Sequence, residues 1–180
     1  LDSIVELCLR ETACDPIAIV ERMMALPSCH MHGPEHHVMV GAALLTAYHN
    51  AGGDIALSDA LMEMLRRGKS VPGGACGFWG ACGAGISTGM FVSIISGSTP
   101  LTDEPFALSH KMTAAALGQI GEIGGPRCCK GDSFLSILTA IDFVKEHFGV
   151  ALQKPEVVCH YAAQNNQCIG KRCPFSAANH

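Results

Sequence analysis

The chain has 180 residues and a formal charge of −4, with 48% hydrophobic and 16% charged residues. That balance excludes a disordered chain or a solvated coiled coil, and its sign disfavours nucleic acid as a partner. Ten cysteines and nine histidines are the unusual feature. The cysteines fall below the roughly 8–10% of short disulfide scaffolds, and a chain of this length buries a core without staples, so they call for a chemical explanation.

Taken in order, the opening residues LDSIVELCLRETACD alternate apolar and acidic positions, unlike a secretory leader. A cytoplasmic setting with reduced thiols is expected, and a start at Leu1 suits a trimmed chain or part of a longer polypeptide. Two short amphipathic helices are predicted over Ser3 to Thr12 and Pro16 to Leu26, the second capped by Asp15 with Pro16 at its first position. Cys8 and Cys14 belong to helix packing in this reading. A longer helix follows from Pro34 to Asn50, stopped by Gly52-Gly53, and another from Ser58, read as its cap, to Arg67.

Between Lys69 and Asp103 lie 33 residues without a charge, long enough to cross a bilayer. The stretch opens on VPGG, closes on GSTP and is flanked by Asp103 and Glu104 rather than basic residues. It therefore predicts a buried central helix through GACGAGISTGMFVSIIS, and no membrane span. Helices over Pro105 to Gly121 and Ser133 to Phe148 complete the set. Val150 to Val158 contains Pro155, which limits it to a loop or an edge strand. The fold class expected is all-α: one helical domain over residues 1–180, with Cys/Gly-rich loops converging on a metal site.

Eight cysteines sit in four loops: Cys29 in PSCHMHGPEHH, Cys76 and Cys82 in GGACGFWGACGAG, Cys128 and Cys129 in GGPRCCKGDS, and Cys159, Cys168 and Cys173 in the tail. The first three loops lead into helix starts, whose free N–H groups lower a thiol pKa and favour anions. No C-x2-C knuckle announces structural zinc. The tail pattern C-x8-C-x4-C followed by Pro resembles loops that wrap iron–sulfur clusters. Cys76, Cys82, Cys128 and Cys29 form the first grouping for one centre. The tail cysteines form a second, or exchange roles with it. The vicinal pair supplies one ligand, since adjacent side chains diverge.

His30, His32, His36 and His37 crowd around Glu35. They read as a ligand (His30) and as acid/base groups (His32, His36, His37, with Glu35 orienting an imidazole), or else as a loop that caps the next helix. Trp79, with Phe78, is placed to shield a cofactor or simply to pack. Arg127 is placed to bind an anion or a cluster sulfur, or to lie in solvent. His49, His110 and His147 read as ordinary helix histidines, and His160 as a weaker candidate.

The segments CHMHGPEHHVMVGAALLTAYHNAGG, GGACGFWGACGAGISTG and GGPRCCKGDSFLSILTAIDF resemble a prokaryotic cysteine-rich family of unknown function, over Cys29 to Phe175. The resemblance implies a domain found alone or beside SAM-dependent methyltransferase domains in anaerobes, a setting that suits oxygen-sensitive clusters. Cys29, the four loop histidines, Cys76, Cys82, Cys128, Cys129, Cys168 and Cys173 fall in its motif positions.

The expected cofactor is an iron–sulfur cluster of the [4Fe–4S] type, serving redox or Lewis-acid chemistry on a small substrate. Open alternatives are a zinc-thiolate module serving a methyltransferase and a thiol-disulfide protein using Cys128-Cys129. A methyltransferase or redox protein and a second copy of the chain are the expected partners.

Overall fold

A computed structural model describes all residues from Leu1 to His180. It contains eight α-helices: α1 Asp2–Arg10, α2 Pro16–Met24, α3 His36–Asn50, α4 Leu57–Lys69, α5 Ala75–Phe78, α6 Gly83–Ser96, α7 Glu104–Ile123 and α8 Cys129–Phe148. The class is all-α, as the helical periodicity predicts. Three short 3-10 turns follow in the tail, and the nearest approach to a sheet is one isolated bridge between Cys159 and Ser176.

Local chemistry explains most boundaries. The Asp15 carboxylate accepts from the Ile17 and Ala18 amides at 2.9 and 3.1 Å, and Pro16 opens α2. Gly97 and Gly149 adopt positive φ just past α6 and α8, where a Cβ would be strained. Two predicted starts need correction. Helix α4 begins at Leu57 after Ala56, so Ser58 lies within the first turn and caps nothing. Helix α8 begins at Cys129 rather than Ser133, because the Cys128 thiol accepts from the Gly131 amide and serves as the cap.

Helices α3 and α6 occupy the centre. Both are apolar around most of their circumference, the pattern of a helix wrapped by others rather than lying on a surface. Helix α3 packs against α1, α2, α4, α6 and α8, and α6 packs against α4, α7 and α8 as well as α3. The long uncharged stretch is thus the middle of a bundle. No helix is long and apolar enough to cross a membrane. Small residues permit the close crossings: a Cβ on Gly89 would overlap the Thr113 hydroxyl and press on the Ser109 carbonyl of α7.

One continuous apolar core runs through the bundle, from Ile4 and Cys8 to Val144 and Phe175. Cys8 is buried in it as expected, whereas Cys14 is only half-buried at the α1–α2 connection. The Cys14 carbonyl accepts from the Gln153 amide at 3.0 Å and pins the extended segment after α8. That segment carries the tail back over the bundle, where Phe175 packs edge-on against Phe134 of α8 at 5.7 Å.

Candidate metal centre

The starts of α3, α6 and α8 meet at one end of the bundle. His37, in the first turn of α3, packs on Gly83 at the start of α6, where any Cβ would collide with its ring. The Cys82 thiol at the α6 cap lies 3.6 Å from the Asp132 carboxylate in the first turn of α8. Lys130 of α8 reaches back to the loop before α3 and donates to the Cys29 sulfur at 3.0 Å. The convergence expected from the loops is therefore real, but the side chains sort into three groups.

The first group surrounds a narrow, partly enclosed pocket. Cys128, Cys159, Cys168 and Cys173 line it, with Met31, Ile123, Leu135 and Phe175 as apolar walls. Each sulfur has an amide N–H directed at it. Gly131 donates to Cys128, Tyr161 to Cys159 and Gly170 to Cys168, all at 3.4 Å, and the Phe175 amide serves Cys173. The Asn165 side-chain amide adds a second donor to Cys128 at 3.5 Å. Donors of this kind favour thiolate over thiol and are what metal-bound sulfur requires. Metal-free, burial still wins: it pushes the Cys128 thiol up to about 11, with the Gly131 amide opposing and Asp132, Cys159 and Cys173 adding to the rise.

The second group lies across Asp132, which borders both pockets. Cys76 and Cys82 line a wider cleft of about 1180 Å³, much of it open, with Arg127 and the Gly124-Gly125 turn. Cys129 lies on this side: burial raises its thiol, the Gly33 backbone opposes the rise, and Asp132, Arg127 and Cys76 act on it. Burial first, then Asp132, pushes Cys82 up to about 12, while the Ala84 and Gly85 amides oppose it. The helix-end effect expected to lower these thiols is present and is outweighed by burial. The vicinal cysteines diverge so completely that each joins a different group. The grouping of Cys76, Cys82, Cys128 and Cys29 is therefore redistributed: Cys128 sits with the tail, and Cys29 stands apart.

The third group holds Cys29, Glu35 and His36. One ligand atom from each lies within 4.8 Å of the others, and no other set of three His, Cys, Asp or Glu side chains is that compact. The chain is thus cysteine-rich with a side-chain group able to hold a metal ion. The family follows from the sequence as a whole. Residues 4–176 match a family model described as a family of unknown function (DUF5714). The chain belongs to DUF5714. No curated protein and no solved structure matches it.

The remaining histidines of this DUF5714 chain take distinct positions. His32 Nε2 donates to the Asn165 side-chain oxygen at 3.1 Å, and its buried Nδ1 has no partner. His30 is exposed, with its ring 3.3 Å from Glu35. His37 Nδ1 donates to the Val71 carbonyl at 3.3 Å, so its ring is occupied in joining α3 to the segment after α4. Trp79 and Phe78 are 69% and 90% exposed, so neither packs in the core, and Phe78 borders the open cleft with Cys76 and Cys82.

Sequence reasoning missed Lys130, Asp132, Asn165 and Tyr161. Lys130 and Asp132 stand in CCKGD, directly after the vicinal cysteines, a proximity that was the available signal. Charged residues in a loop ordinarily face water, and only the returning tail and the loop before α3 bury Lys130 to 2% exposure.

Proposed function

We propose that this protein binds an iron–sulfur cluster through Cys128, Cys159, Cys168 and Cys173, and uses it for redox chemistry on a small anionic substrate. The observation that carries the reading is the set of four thiols around one apolar-walled pocket, each met by an amide N–H. Tetrahedral zinc at ~2.3 Å holds its sulfurs about 3.8 Å apart, yet no three of these sulfurs lie within 4.8 Å of one another. Apolar walls restrict water and the amide donors stabilise sulfur charge, both of which tune a cluster's potential. Cys168 is exposed and gives the centre an edge toward a redox partner. The cleft beyond Asp132 offers Arg127 to an anionic substrate.

Reconstitution of the full chain with iron and sulfide under anaerobic conditions tests this. A brown protein with broad absorbance near ~400 nm and about four irons per chain is expected. Cys128→Ser, Cys159→Ser and Cys173→Ser should each lose most of that iron, whereas Cys76→Ser should keep it. A colourless protein holding one zinc overturns the proposal, as does full iron in the Cys159 and Cys173 variants.

A further inference from the structure

The geometry points to a second and separate metal site: a single divalent ion of the zinc class bound by Cys29 Sγ, Glu35 and His36, with one coordination position open. It lies outside the four-cysteine pocket and does not depend on the cluster. The three donors come from the loop before α3 and its first residue, and bring sulfur, oxygen and nitrogen within 4.8 Å of one another. That mixed set is one zinc accepts.

Each donor is already oriented. His36 is 1% exposed, and its Nδ1 donates to the Gly33 carbonyl at 3.0 Å. A carbonyl only accepts, so Nδ1 carries the proton and Nε2 presents its lone pair. Ligating histidines are held by this kind of bond through the other ring nitrogen. Nε2 lies 4.0 Å from Cys29 Sγ. Nitrogen and sulfur on one tetrahedral zinc, at ~2.0 and ~2.3 Å, stand about 3.5 Å apart, so a shift of about half an ångström brings this pair to ligand spacing, with the Glu35 carboxylate within 4.8 Å of both residues' donors. The Glu35 carboxylate accepts from the His30 amide at 2.6 Å and folds over Gly33, where a Cβ would overlap it. It is nearly buried with no lysine or arginine paired to it, an arrangement a cation would complete.

Lys130 supplies an independent indication. Its ammonium is buried, donates to Cys29 Sγ and to the His30 carbonyl at 3.0 Å each, and lies 5.2 Å from the centre of the Tyr161 ring. It has no carboxylate partner. A buried ammonium on sulfur suits a metal thiolate, whose charge persists because the metal replaces the proton and whose remaining lone pairs accept the N–H. Three protein donors leave a fourth position for water or substrate, and two of them, Cys29 and Glu35, border a pocket shared with Leu26, Ser28 and Lys69. An open position distinguishes a reactive zinc-type site from a closed structural one.

Cobalt(II) added to the metal-free full chain tests the site. One equivalent that protects Cys29 from alkylation, as mapped by mass spectrometry, is expected, with a thiolate-to-metal charge-transfer band in the near ultraviolet that persists when the four-cysteine pocket is disabled by Cys159→Ser. In the Cys159→Ser background Cys29→Ser should abolish the band, and Glu35→Gln should weaken binding at least ~10-fold while keeping it. Iron reconstituted into the four-cysteine pocket should be unchanged in the Cys29→Ser and Glu35→Gln single variants. Conversely, Cys159→Ser should lose iron and keep the cobalt band, so failure of either centre is read separately. Cobalt bound without a thiolate band, or Cys29 alkylated equally fast with and without metal, overturns the inference. Alkylation mapping uses the wild-type chain and stands even where a variant does not fold.

Discussion

Identical thiols in this chain meet environments that assign them different work. Cys8 sits in the α1–α3 core with its sulfur 3.9 Å from the Ala42 carbonyl, and burial pushes its pKa up to about 11 from 9.0. Folding therefore favours the protonated form. The stability this provides is complete below pH 9, where the unfolded thiol also keeps its proton, and is lost as pH rises to 11. Two pKa units correspond to about 3 kcal/mol. Urea unfolding of wild type and Cys8→Ala at pH 8 and pH 11 should show the wild-type advantage shrinking by up to that amount; a constant difference would contradict it. Lys130 makes the opposite point, because its sequence neighbours mark it as a loop charge and contacts a hundred residues away make it a buried donor. Cys8 was legible from its place in an amphipathic helix, while Lys130 was not, since burial by another segment leaves no local trace.

At the level of elements, capping chemistry was readable where the residue type is specific. Asp15 followed by Pro16 marks a helix start unambiguously. A cysteine cap is not in that vocabulary, so the first turn of α8, which carries Lys130 and Asp132 into the site, was read as loop. The central pair α3 and α6 depends on small residues at their contacts. Gly89→Val should force α6 from α7 and cost about 1–3 kcal/mol by overpacking. Gly118→Ala on α7, where added bulk meets nothing within 4 Å, should be neutral or stabilise by up to ~1 kcal/mol through helix propensity. Thermal melts of the two variants check this pair, and equal effects would show that the close crossing is not what α6 requires.

For the molecule as a whole, the tail is the element that completes the site. It closes on itself where the Cys159 N–H donates to the Phe175 carbonyl at 2.7 Å, and it rests on the bundle through the Phe175–Phe134 contact. Its other backbone bonds are short turns within the tail itself, so a metal bound to three tail cysteines and to Cys128 would add to its docking on the bundle. Hydrogen exchange should accelerate over residues 159–175 when iron is removed, while α3 and α8 stay protected. Unchanged tail exchange would separate the cluster from tail docking.

The sequence by itself determined an all-helical chain and placed eight cysteines in loops, because periodicity, caps and glycine stops are local properties of a few adjacent residues. Only the tertiary structure decided which cysteines share a pocket. Cys128 joins the tail, Cys129 joins Cys76 and Cys82, and Cys29 joins Glu35 and His36 under Lys130. Those partnerships arise from helix starts brought together by a buried core, and spacing along the chain carries no record of which starts will meet.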